Sequence, residues 1–122
     1  MKPLSYRSVA SLSGGLFGLL CLALISTPEV IFWLFALPDG EAVRVLAKRA
    51  GVLFLGLALV LILTRSHAPN PSRRTIQIAF AVMLCAMALL GFVEWRGGGV
   101  GPGIWSAICV ELLLAAGLVV AR

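Results

Sequence analysis

The residues that could do chemistry in this sequence are charged side chains lying in or beside long apolar runs. Ionisable groups within an apolar, membrane-like segment are costly, and they usually face a partner or an aqueous cavity. Acids and bases of this kind lie on different segments of the chain, so their side chains could meet after folding. We call the set the charge cluster: Glu29, Arg44, Lys48, Arg49, Glu94 and Glu111.

Glu111 lies deepest in its apolar run. It stands eight residues into that run, roughly 12 Å along a helix, and Arg49 stands seven residues into another, roughly 10 Å from the same surface. Ala107 and Ala115, four residues on either side of Glu111, permit close approach of a neighbouring helix. We therefore predict that Glu111 pairs with Arg49 or Lys48.

The charge cluster has two interpretations. In the first, it is a structural ion-pair network that orders the helices, and this is favoured because buried pairs often specify arrangement more than activity. In the second, it is a polar pocket in which Glu111 binds a cation or a proton, or in which the basic residues bind an anionic group.

Other chemistry is not indicated by the sequence. His67 is the single histidine, and the three cysteines form no CxxC motif, so we predict neither a metal site nor a cofactor. No Ser/His/Asp set or cofactor loop is present, so we do not expect an enzyme. Gly14 and Gly18 form a small-xxx-small pair that predicts close helix packing.

Composition identifies the elements that must position these residues. Of the 122 residues, 61% are hydrophobic and only 12% are charged, with a mean hydropathy of +1.06. A soluble domain of this size has too little interior for so much apolar surface, whereas a bilayer-spanning helix takes about 20 apolar residues. We predict an all-α integral membrane protein: one domain, residues 1–122, folded as a four-transmembrane-helix bundle.

Breaks in the apolar pattern divide the chain. Pro28 interrupts it after the first span, and Pro38, Asp39 and Gly40 supply turn chemistry before the second. The apolar, aromatic stretch between them suits a short interfacial helix. The predicted spans are 9–27, 42–64, 75–95 and 103–121, with an interfacial segment at 29–37.

The distribution of charge predicts the orientation. If both termini are cytoplasmic, the inner side carries +6 and the outer half −1, which together give the net charge of +5. Short loops rich in Lys and Arg stay in the cytoplasm, and all five acids fall in the outer half. We expect a multi-pass protein of the bacterial inner membrane. The inner basic residues are Lys2, Arg7, Arg65, Arg73, Arg74 and Arg122.

Several residues resemble a family pattern. The first helix ends at Pro28, an aromatic segment follows (VIFWLFALPDG), and the second helix opens on basic residues and Gly51. This pattern, over about the first half of the chain, resembles the DoxX-like and related families of small bacterial membrane proteins with four helices. The resemblance implies a four-helix bundle and association with a larger redox or transport assembly, and it implies no catalytic residue.

Three functional hypotheses follow from the sequence. The first is a noncatalytic accessory or scaffold subunit of a membrane complex, with membrane lipids and another membrane protein or a second copy as partners. The second is a small transporter or channel that uses Glu111 and the basic residues. The third is a lipid- or quinone-binding protein with a cleft between Trp33 and the helix ends at Trp95 and Trp105. Positive-inside sorting explains the basic residues, so we do not expect a nucleic-acid partner.

Overall fold

The computed structural model describes residues 4–122, and in this range every regular element is an α-helix. The all-α prediction is confirmed. Lys2, counted above among the inner charges, lies outside the described residues. The helices are α1 (Tyr6–Ser26), α2 (Pro28–Phe35), α3 (Glu41–Thr64), α4 (Pro71–Arg96) and α5 (Ile104–Val120).

Three of these helices, α1, α3 and α4, are long and apolar enough to cross a membrane. The fourth apolar helix, α5, has 17 residues. The length and composition of these helices support the prediction of a membrane protein.

The start of α4 differs from the predicted start of the third span at residue 75. The helix begins at Pro71, because the side chain of Asn70 accepts a hydrogen bond from the backbone N–H of Arg73 at 2.8 Å. Proline at the first helical position fits this cap, since its missing N–H would have no partner there. Arg73 and Arg74 therefore belong to the first turn of α4.

Two antiparallel helix pairs form the body of the protein. Helix α3 packs along α1, with the hydroxyls of Tyr6 and Thr64 2.9 Å apart, and α5 packs along α4. Phe17 joins the pairs at the centre, where its ring lies 5.6 Å from that of Phe54 and 6.2 Å from that of Phe80. We call the end with Tyr6 and Thr64 the inner end and the end with α2 the outer end.

The inner end is closed by polar contacts. Gln77 is buried, and its side-chain amide donates to the backbone oxygens of Leu118 and Ala121 at 2.7 and 3.1 Å. The guanidinium of Arg73 lies 4.7 Å from the centre of the Tyr6 ring and donates to the backbone oxygen of His67. These contacts satisfy the buried amide of Gln77 and one nitrogen of Arg73, whereas the Nε atom of Arg73 is buried without a hydrogen-bond partner among residues 4–122.

Small residues set the spacing between helices. A Cβ atom on Gly14 would lie 2.7 Å from the side chain of Ile62, so α1 and α3 approach closely there. A Cβ atom on Gly18 would have no neighbouring heavy atom within 4 Å. Ala115 is buried in the core, and Ala107 is partly buried near the outer end of α5.

Candidate functional site

Helix α2 covers the outer end of the bundle. Pro28 fixes the backbone of its first turn, and the left-handed conformation of Ala36, with φ of 54°, ends it after eight residues. Phe32 is 5% exposed and packs against Leu24 and Ala47 in the bundle, whereas Trp33 is 81% exposed. One face of α2 therefore forms an inner wall, and the other faces outward.

The glycine-rich loop between α4 and α5 holds one end of α2. The backbone N–H of Gly101 donates to the backbone oxygen of Phe35 at 2.8 Å. A Cβ atom on Gly103 would lie 1.9 Å from the backbone oxygen of Leu34, and one on Gly101 would lie 2.7 Å from the Cβ of Ala36. Only glycine allows this approach, which gives the glycines of this loop a packing role.

Arg44 holds the other end of α2. Its guanidinium donates two hydrogen bonds to the carboxylate of Asp39, both 2.7 Å long, and a third to Glu29 at 2.6 Å. The backbone N–H of Glu29 and then the Arg44 guanidinium hold the pKa of Glu29 below its usual value. The same guanidinium lowers the pKa of Asp39.

Two adjoining cavities lie beneath α2. Their volumes are about 370 and 170 Å³, and they share lining residues that include Ile31, Phe35 and Glu111. We call them together the α2 cavity. Among the lining residues, Glu111 is the one ionisable side chain, and Ser106 is the one other polar side chain. The remaining lining comes from apolar residues of all five helices, including Leu20, Leu24, Phe54, Met87 and Ala107.

The carboxylate of Glu111 belongs to the wall of the α2 cavity. It stands two turns into α5, and it lines both parts of the cavity. Its Oε2 atom is buried and has no hydrogen-bond partner among residues 4–122. An acceptor left in this way costs free energy unless something else satisfies it.

The predicted pair between Glu111 and Arg49 or Lys48 does not form in the described part of the chain. Helix α3 packs against α1, while α5 packs against α4, so similar depth does not bring these side chains together. Lys48, Arg49 and Glu94 are exposed, and none of them lines the α2 cavity. Within residues 4–122, the charge cluster thus separates into the Arg44 contacts, one isolated carboxylate and three exposed charges.

The structure adds residues to the site that the sequence reasoning missed. The residue type of Asp39 indicates a turn, although its spacing of five residues from Arg44 also allows the observed pairing. The cleft predicted beside Trp33 lies instead under the opposite face of α2, and Trp95 packs on Trp105 with ring centres 5.3 Å apart. In sequence, nothing distinguishes an apolar residue that lines a cavity from one that fills a core.

Comparisons with known proteins give this chain no relative: no protein-family model, no curated protein and no solved structure matches it. The resemblance to DoxX-like families therefore stays a prediction. The feature of the described residues that bears on function is the apolar cavity beneath α2, with a single carboxylate in its wall.

Proposed function

We propose that this chain is a membrane protein of four spans that binds a small lipophilic molecule in the α2 cavity. With 17 residues, α5 is roughly 26 Å long, at the short end of what crosses a bilayer. Helix α5 packs antiparallel along α4, which supports the proposal that both helices cross the bilayer at the same depth. The short helix α2 then lies at the membrane surface with Trp33 in the interfacial region.

The proposed orientation puts the inner end in the cytoplasm. Arg7, Arg65, Arg73 and Arg74 lie at that end of the described helices, and the acids lie in the outer half. The positive-inside rule favours this orientation, and the bacterial inner membrane is the membrane we propose. The α2 cavity then opens toward the outer leaflet or the outer surface.

One observation carries the binding function: the α2 cavity combines apolar walls with one convergent polar group. Small-molecule sites are typically concave, mostly apolar pockets of about 300–1,000 Å³ with a few placed polar groups, and the larger cavity of about 370 Å³ falls in that range. The hydroxyl of Ser106, which lines the smaller cavity, donates to the backbone oxygen of Gly103 at 2.7 Å, and we propose binding without catalysis.

This proposal favours the third sequence hypothesis in a modified form, with Glu111 in place of the tryptophans as the polar group. A transporter would use the same site, because it would bind its substrate in the α2 cavity. The accessory-subunit hypothesis stays a prediction, and a stoichiometric partner in mild detergent would support it.

The proposal is tested by filling the cavity. Ala107 lines both parts of it, so Ala107→Phe removes much of the space, while Ala86→Phe adds the same ring at an exposed position of α4. We expect mass spectrometry of extracted small molecules to find a lipophilic compound with the wild type and Ala86→Phe, and to find it largely absent from Ala107→Phe. Thermal unfolding followed by circular dichroism checks that all three proteins are folded. Equal recovery from all three would refute the proposal.

A further inference from the structure

The charge around the α2 cavity is unbalanced. Glu111 contributes a carboxylate to both parts of the cavity, and its Oε2 atom is buried without a hydrogen-bond partner among residues 4–122. In the described part of the chain, no Lys, Arg or His lines either part. The wall formed by residues 4–122 thus offers one carboxylate and no cation.

The nearest bases along the chain do not balance Glu111. Arg44 donates to Glu29 and Asp39 through three hydrogen bonds of 2.6–2.7 Å. Lys48 and Arg49 are exposed, and neither forms an ion pair in the described part of the chain. Among residues 4–122, no base is placed to pair with Glu111, so the site has room for a positive group supplied by a ligand.

We propose that the α2 cavity is selective for lipophilic cations, compact apolar molecules that carry one ammonium or similar group. This inference rests on the proposed binding function. The apolar body fills the space between the helices, and the ammonium donates to the carboxylate of Glu111. Charge-assisted hydrogen bonds in a low-dielectric site are among the strong ones, so charge is the main source of selectivity.

The same geometry discriminates against other ligands. A lipophilic anion, such as a fatty acid, would bring a second carboxylate against Glu111, and like charges in contact within an apolar site repel. A neutral lipophile gains the apolar contacts but gives no charge to the carboxylate. The order of affinity is therefore cation, then neutral molecule, then anion.

Two probes of the same shape test this selectivity. We would use 1-aminoadamantane, which is a cation at neutral pH, and 1-adamantanol, which is neutral and has the same cage. Binding is measured by calorimetry in phosphatidylcholine nanodiscs, with empty nanodiscs as the control for partitioning. We expect the wild type to bind the amine about tenfold to a hundredfold more tightly than the alcohol, the range for a hydrogen bond to a charged group.

Matched variants assign the preference to Glu111. Glu111→Gln should bind both probes with similar affinity, whereas Glu94→Gln removes an exposed carboxylate and should keep the preference. In Glu111→Gln/Met87→Glu the carboxylate returns at another residue that lines both parts of the cavity, so the preference for the amine should return. A merely structural role of Glu111 would not be restored in this way.

The outcomes separate the two proposals. If the wild type binds both probes equally, or if Glu111→Gln keeps the preference for the amine, cation selectivity is refuted while cavity binding stands. If neither probe binds the wild type above empty nanodiscs, both proposals fail. The comparison of the two probes on the wild type needs no variant, so it can refute the inference even if a variant does not fold.

Discussion

Replacing Gly103 with alanine should detach the glycine-rich loop from α2. The added Cβ atom would lie 1.9 Å from the backbone oxygen of Leu34 and 3.0 Å from its carbonyl carbon. These are backbone atoms, so no side-chain rotation relieves the clash. Either α2 or the loop must move by more than an ångström.

The cost follows from the contacts that this movement breaks. Overpacking in a close contact costs about 1–3 kcal/mol. Loss of the hydrogen bond from the N–H of Gly101 to Phe35 adds about 1 kcal/mol. Val100, which is 8% exposed and belongs to the same loop, would lose packing as well. We therefore expect Gly103→Ala to lower the free energy of unfolding by about 2–4 kcal/mol.

Unfolding by sodium dodecyl sulfate in mixed micelles, followed by circular dichroism, measures this loss, and hydrogen exchange locates it. Exchange should accelerate in residues 28–37. Gly99→Ala is the matched control, because its Cβ would meet its nearest neighbour at an ordinary 3.5 Å, and we expect a change within about 0.5 kcal/mol. If Gly103→Ala unfolds like the wild type with α2 still protected, the reasoning about this loop is wrong.

Two further predictions concern the outer end. Arg44→Gln removes all three hydrogen bonds to Glu29 and Asp39, so hydrogen exchange in α2 should accelerate, whereas Arg49→Gln, an exposed control, should change little. Acid should act like Arg44→Gln: both carboxyls have a lowered pKa in the folded protein, so their contribution is present above their ordinary pKa values of 4.5 and 3.8 and is lost as the pH falls through the lower folded values. Unchanged α2 exchange in acid would contradict this assignment. For the four-span topology, single cysteines at Trp33 and His67, in a background without Cys21, Cys85 and Cys109, should differ in intact cells: an impermeant maleimide should label position 33 and not position 67. Labelling of both positions would refute the topology.

The sequence predicted where the helices lie along the chain better than it predicted which helices pack together. Composition and prolines indicated the apolar helices, and α2 and α3 begin within one residue of the predicted starts at 29 and 42. The distance of a residue along its helix can also be counted from the sequence, and by this measure Glu111 and Arg49 lie at similar depth. That similarity led to the prediction that they pair. Which helices pack together depends on side-chain shape, as where Gly14 admits Ile62, and periodicity does not encode that choice.

One charge of the site, Glu111, was predictable from the sequence, and the shape of the cavity was not. Glu111 stood out because a carboxylate within an apolar run requires an explanation. The cavity beside it arises where α2 crosses the two helix pairs, and Ile31 or Phe35 gives no sign in sequence of facing a space. The contact of Gly103 with Leu34 was also missed, because glycines in a loop indicate flexibility as readily as close packing.

The most direct test of the central claim is a crystal structure of the wild-type protein with 1-aminoadamantane bound. We predict that the cage lies beneath α2, among residues that line the α2 cavity, with its nitrogen in direct contact with the carboxylate of Glu111. A probe bound elsewhere, or Glu111 paired with a cation of the protein itself, would contradict it.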